Sequence, residues 1–189
     1  MGIFYTKKGD KGQSYIGKKI INKTRLEIEA LGQLDELNSM IGVLKSDKVS
    51  DSLKKILHQI QEDLFIIQAQ VASLMLSANR ESQVTKNKFH PPEFRSLKTR
   101  GIEKIIDNIE KKLPPLKKFV IPGANETSAW LDLLRAKSRN VERVILKIVN
   151  CKLKVDASIM AYMNRLSSLF FALARWEARN KKEQHPKYK

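Results

Sequence analysis

Chain breakers are scarce in this sequence, and they are grouped. Glycine occurs 8 times and proline 6 times in 189 residues, and Pro91-Pro92, Pro114-Pro115 and Pro122 mark the main interruptions. Proline removes a backbone donor and disfavours helix in the residue before it. The long stretches between these points are therefore free to be helical. Within them apolar residues recur at three- and four-residue steps, which places them on one helical face. Residues 26–45 carry Leu26, Ile28, Leu31, Leu34, Leu37, Ile41 and Leu44. Residues 51–78 carry Leu53, Ile56, Leu57, Ile60, Leu64, Ile67, Val71 and Leu74. A third run, from about Lys98 to Lys112, rests on Ile102, Ile105, Ile106 and Ile109. A fourth, capped by Asn125 or Thr127, presents Leu131, Leu134, Val141, Ile145 and Ile148. A fifth, capped by Asp156 or Ser158, reaches about Asn180 on Ile159, Tyr162, Leu166, Leu169, Phe170 and Leu173. No segment shows strand alternation of convincing length. The expectation is an all-α five-helix bundle forming a single domain over residues 1–189. Residues 1–22 fall outside the helices, residues 79–97 read as a mobile connecting loop, and residues 181–189 as a frayed basic tail.

Charge narrows the partners. Lys+Arg is 36 against 20 Asp+Glu, a net charge of +16, which suits anionic partners such as nucleotides, nucleic acid or a membrane surface. Lysine is spread along the whole chain, so compositional drift explains the balance as well. Aromatic residues do not interleave with the basic ones as on RNA-binding surfaces, which argues against nucleic acid. The single cysteine, Cys151, rules out an intrachain disulfide and fits a reducing cytosol. The longest apolar region, Leu64 to Leu76, is broken by Gln68 and Gln70 and is too short to span a bilayer. No signal-peptide layout opens the sequence. The expected location is cytoplasmic.

The polar groups that stand out fall in three places. Thr6-Lys7-Lys8-Gly9-Asp10-Lys11-Gly12-Gln13-Ser14 can wrap an anion with backbone N–H groups and ammonium charges, although it lacks the order of a Walker loop. Alone it is more simply a flexible basic arm. On the first helix Asp35 and Asn38 share a face. On the fourth, Arg135, Arg139, Glu142 and Arg143 form a line three and four residues apart, beside the apolar stripe. Such charges are commonly a solvated face. Three arginines and no lysine favour planar, multi-donor recognition of phosphate or carboxylate. His58, His90 and His185 are isolated, so no metal site is expected. His58 reads as a surface or boundary residue, and Cys151 as an ordinary buried thiol.

In order, these segments resemble the ATP:cobalamin adenosyltransferase family, of the propanediol-utilisation and human methylmalonic aciduria type. Thr6 to Ser14 resembles its T-x-x-G-D-x-G-x-[ST]. Glu29 to Asn38 resembles E-A-x-G-x-x-D-E-L-N. Leu113 to Gly123, followed by Arg135, Arg139, Glu142 and Arg143, resembles P-P-L-x-x-F-[IV]-[IL]-P-G and R-x-x-x-R-R-x-E-R. Tyr162-Met-Asn-Arg-Leu-Ser167 resembles Y-x-N-R-L-S-D. The match covers most of residues 5–179.

The resemblance implies a five-helix bundle that trimerises, with active sites between subunits. It implies transfer of the 5′-deoxyadenosyl group of ATP, with Mg2+, to cob(I)alamin, giving adenosylcobalamin and triphosphate. A cobalamin reductase and an adenosylcobalamin-dependent mutase would be possible partners. ATP would be held by Thr6, Lys7, Lys8, Gly9, Asp10, Gly12, Ser14, Lys23, Arg135, Arg139, Glu142 and Asn164. Asp35 and Arg135 would pair beside the corrin, and Phe119 would cover its lower face. Three departures stand out: Asn140 replaces the family's second arginine, Ser168 replaces the aspartate after Leu-Ser, and Gly123-Ala124 replaces Gly-Gly. The alternative reading is a non-catalytic helical bundle that holds ATP, cobalamin or nucleic acid.

Overall fold

A computed structural model describes residues 5, 7–16, 19–77, 90–151 and 155–188. It contains a short hairpin, β1 (Gln13–Ile16) and β2 (Lys19–Asn22), followed by α1 (Leu26–Ser46), α2 (Asp51–Ser77), α3 (Ser96–Glu110), α4 (Glu126–Asn150) and α5 (Ala157–Ala178). The five expected helices form, and their inward faces follow the stripes read from sequence. Leu34, Leu37 and Ile41 of α1, Leu57 and Leu64 of α2, Leu131, Leu134 and Val141 of α4, and Tyr162, Leu166 and Phe170 of α5 are fully buried. Helix α5 packs chiefly on α4 and α3, while α1 packs on α4 and α2.

Local chemistry explains the main boundaries. Asn125 caps α4: its side chain accepts from Ser128 N at 2.8 Å, and Asn125 N donates to Ser128 Oγ at 3.0 Å, a reciprocal capping box. Asn125 Nδ2 also donates to Glu177 O at 2.9 Å, tying the start of α4 to the end of α5. Asp156 caps α5, accepting from Ser158 N. Two interruptions seen in sequence, Pro114-Pro115 and Pro122, lie between α3 and α4.

Four expectations need correction. The N-terminal segment does contain strands: β1 and β2 pair antiparallel with Gln13 opposite Asn22 and Ile16 opposite Lys19. At four residues each, they are too short to show in a periodicity. The connection expected over 79–97 is partly ordered. Residues 79–89 lie outside the described residues, but Phe94 is buried against Tyr162, ring centroids 5.1 Å apart and edge to face, and α3 already begins at Ser96. Cys151 is exposed, because it follows the last turn of α4 instead of facing the core. The tail is also docked. Ile121 N donates to Gln184 O at 2.8 Å, Arg175 pairs with Glu183 at 3.0 Å, and His185 Nδ1 lies 2.9 Å from Phe119 O. The other His reading holds: the His58 side chain is 63% exposed and faces Glu62.

A buried polar knot sits where α2, α3 and α5 meet. Asp63 accepts from Tyr162 Oη at 2.9 Å and from Gln59 Nε2 at 3.0 Å, and it pairs with Lys98. Burial, and then the Asp63 charge, push the Tyr162 phenol well above its ordinary value.

Candidate functional site

The basic N-terminal loop is built on the hairpin. Lys7 and Gly12 adopt positive φ, 58° and 74°, so the chain curls back on itself. Gly12 N donates to Gly9 O at 3.2 Å, and Lys23 N to Gly12 O at 3.0 Å. Lys23 Nζ reaches Gly9 O at 3.1 Å. The loop therefore folds around the Lys23 stem and is not a free arm. Lys7 and Lys8 lie over the rings of Tyr5 and Tyr15, at 5.8 and 5.3 Å. Asp10 is exposed, and Ser14 lies on β1 opposite Ile21. Thr6 lies outside the described residues.

The arginine line runs along α4. Arg135 Nε donates to Asp132 Oδ1 at 2.9 Å. The expected Asp35–Arg135 pair is thus not made within one chain: Asp35 is exposed, and its side chain forms no hydrogen bond or ion pair with another described residue. The i, i+3 spacing of Asp132 and Arg135 is legible in the sequence and offers the guanidinium a nearer partner. Arg139 is exposed and likewise has no partner among the described residues. Arg143 bonds Asn140, the residue that replaces the family's second arginine. Glu142 Oε1 accepts from Asn164 Nδ2 at 2.9 Å; Asn164 Oδ1 accepts from Arg165 at 2.8 Å, and Arg165 pairs with Glu103 at 3.1 Å. The residues expected on α4 and α5 are therefore in contact, within a polar chain that reaches α3. Lys137, which the sequence reading passed over, bridges to Gln33 and Glu36 and ties α4 to the α1 turn bearing Asp35.

Phe119 lies ahead of α4, in the segment between α3 and α4. The residue is 75% exposed, so it is not a core side chain of the single chain. Its backbone is held by the tail at His185. Downstream of it, Val120 to Ala124 line a small cavity of about 40 Å³ with Asp132 and Arg175. The Phe119 segment and the partner of Arg135 therefore share one surface region. By contrast, the hairpin packs mainly on α2, and it makes no extensive contact with α4, which bears the arginine line. No group of three His, Cys, Asp or Glu residues suited to a metal occurs among the described residues.

Comparison with known proteins decides between the readings of these motifs. Residues 4–177 match the family model described as cobalamin adenosyltransferase. This chain belongs to the cobalamin adenosyltransferase family. A corrinoid adenosyltransferase of Citrobacter freundii is 33% identical over 174 residues, covering 92% of this chain and 93% of the relative. Human corrinoid adenosyltransferase MMAB is 31% identical, covering 97% of this chain and 72% of its own length. The chain spans about half, 49%, of the PduO corrinoid adenosyltransferase of Salmonella typhimurium, at 31% identity. A solved structure of a variant PduO-type ATP:corrinoid adenosyltransferase from Lactobacillus reuteri, complexed with cobalamin and ATP, superposes with a TM-score of 0.82 at 30% identity, covering 97% of this chain and 96% of that one. In this adenosyltransferase, then, the basic loop and the arginine line belong to a fold seen in a relative with both substrates in place.

Proposed function

We infer that this protein transfers the 5′-deoxyadenosyl group of ATP to cob(I)alamin, forming adenosylcobalamin and releasing triphosphate. The observation that carries this is the family match over residues 4–177, on a fold shared with a relative bound to cobalamin and ATP. The residue types suit the reaction. Reduced cobalt is itself the nucleophile, so the protein need supply no general base. It must align the 5′ carbon and neutralise a leaving polyphosphate. Lys7, Lys8 and Lys23 surround a loop rich in backbone donors, which fits the phosphates of MgATP. Arg139, Glu142 and Asn164 hold the nucleotide in this reading, with Arg135 beside them. Phe119 offers no ligating atom, so it would favour a cobalt lacking a lower ligand, a state easier to reduce.

In the same reading the active site lies between subunits of a homotrimer. Three observations support it. The loop and the arginine line are not packed extensively together in one chain, Asp35 and Arg139 lack described partners, and Val43, Phe65, Leu133 and Leu146 are apolar yet 44–62% exposed. Asp35 of one subunit then pairs with Arg135 of the next. A cobalamin reductase upstream and an adenosylcobalamin-dependent mutase downstream, in the cytoplasm, complete the proposal. No helix among the described residues is long and apolar enough to cross a membrane.

The test is direct. Protein, MgATP and chemically reduced cobalamin are mixed without oxygen, and the visible spectrum is followed. Catalytic appearance of adenosylcobalamin with stoichiometric triphosphate is expected. Tight binding of both substrates with no product would leave only the non-catalytic binding role.

A further inference from the structure

We propose that Lys19 is a positioning residue for the nucleotide: its ammonium group fixes the hairpin that carries the 7–14 loop onto the carboxyl end of α2. The proposal rests on the nucleotide-site reading above. It concerns a residue that does not touch the loop itself.

The loop and the hairpin form one unit. Lys23, just after β2, holds Gly9 O through its side chain and Gly12 O through its backbone. The strands then pair in register from Gln13–Asn22 to Ile16–Lys19. Wherever the hairpin sits, the loop follows. Yet the hairpin has a thin apolar footing. Among its described strand residues only Ile21 is buried, at 6% exposure, while Tyr15 and Ile20 are 43% and 57% exposed. A footing that small leaves a hairpin free to rock.

Lys19 supplies the second anchor. Its Nζ donates to Leu76 O at 2.6 Å and to Met75 O at 3.2 Å. Both carbonyls belong to the last described turn of α2, so one ammonium group meets two backbone acceptors of the same helix. The last described turn of α2 holds no basic residue, and the cation that reaches its carbonyls belongs to the hairpin. A lysine within α2 would serve the helix as well. A lysine on β2 also sets where the hairpin stands, and with it Lys7, Lys8 and Lys23.

The experiment compares Lys19→Met and Lys19→Arg with the wild type. It measures MgATP affinity by calorimetry, kcat and KM for ATP and for cob(I)alamin, thermal stability, and amide exchange in residues 9–14. Lys19→Met is expected to raise Kd and KM for ATP about tenfold, a change of about 1.4 kcal/mol in binding. Its kcat at saturating ATP and its KM for cob(I)alamin should stay near wild type, and exchange in 9–14 should speed up. Lys19→Arg, which restores a cation, should recover most of the ATP affinity. Unchanged ATP affinity in Lys19→Met would overturn the proposal. So would a loss shared equally by kcat, both substrates and melting temperature, which is the signature of a contact that only stabilises the fold. If Lys19→Met fails to fold, Lys19→Gln replaces it under the same criteria. A wild type that binds no MgATP would overturn the nucleotide-site reading together with this one, whereas normal binding by Lys19→Met sinks only the role of Lys19.

Discussion

Replacing Phe119 by alanine separates a packing role from a chemical one, because the two predict opposite results. A phenylalanine in the core would lose about 3–5 kcal/mol on truncation to alanine. Phe119 is 75% exposed, so only about a quarter of the ring is withdrawn from water. Full burial of such a side chain is worth about 1.5–3 kcal/mol, so the variant should lose under about 1 kcal/mol. In a chain of this size that lowers Tm by about 2–4 °C at most. ATP affinity should also hold, since the nucleotide contacts proposed above lie on the hairpin loop, α4 and α5. Turnover with cob(II)alamin and a reducing system should fall at least tenfold, because water can then reach the lower cobalt face. Phe119→His should slow the reaction by offering a ligand there, again with ATP binding nearly unchanged. The assay is turnover beside a melting curve and an ATP titration for each variant. Normal turnover in a well-folded Phe119→Ala protein would refute the corrin role.

Other residues give independent checks. Asp35→Asn and Arg135→Ala should each lose most activity, and the double variant should be less than additive if the two charges meet across the subunit interface; full additivity in kcat/KM would deny the contact. Amide exchange in residues 7–14 should slow when MgATP saturates the protein, because the loop's donors then gain an anion; identical exchange with and without MgATP would count against the loop as its site. Tyr162→Phe should cost about 1 kcal/mol in denaturant unfolding by removing one bond to Asp63. The Tyr162 phenol is raised in the folded state, so its contribution is fully present below the unfolded value of 10.0 and is lost as pH rises beyond it. The Phe variant should therefore show less alkaline destabilisation than wild type. Asn125→Ala removes an N-cap and the bond to Glu177, and should cost about 1–2 kcal/mol; a change within the error of the unfolding measurement would contradict the capping geometry.

The helices were legible because each buries one stripe, and a stripe at 3.6-residue spacing survives in the sequence. The boundaries followed from Asn125, Asp156 and Pro114-Pro115. Phe119, Asp35 and the arginine line stand out in the sequence through the family motifs that contain them. What stayed hidden were features set by tertiary contact. The hairpin is too short to show an alternation, and its placement depends on Lys19 meeting α2. Asp63 looks like one more acid on a polar helix face until Lys98 and Tyr162, from two other helices, converge on it. The tail is rich in lysine, a composition that suggests fraying. Its anchors join Gln184 O to Ile121 N, Glu183 to Arg175 and His185 to Phe119 O, partners far away in sequence that composition does not reveal. Asp132 could have been read as the neighbour of Arg135 from spacing alone.

The tail contacts also bear on the order in which the protein can be completed during synthesis. Phe119 O is held by a residue 66 positions downstream, and Ile121 N by its neighbour Gln184. Helices α1 to α4 can emerge from the ribosome and begin to pack as they are made. The 119–123 segment then waits for α5 and for the residues beyond it before its backbone donors and acceptors find their partners. The surface that bears Phe119 is thus among the last parts of the molecule to be set. A bulky fusion or cleavage near residue 183 should disturb Phe119 sooner than the helical core, although the two lie far apart in sequence.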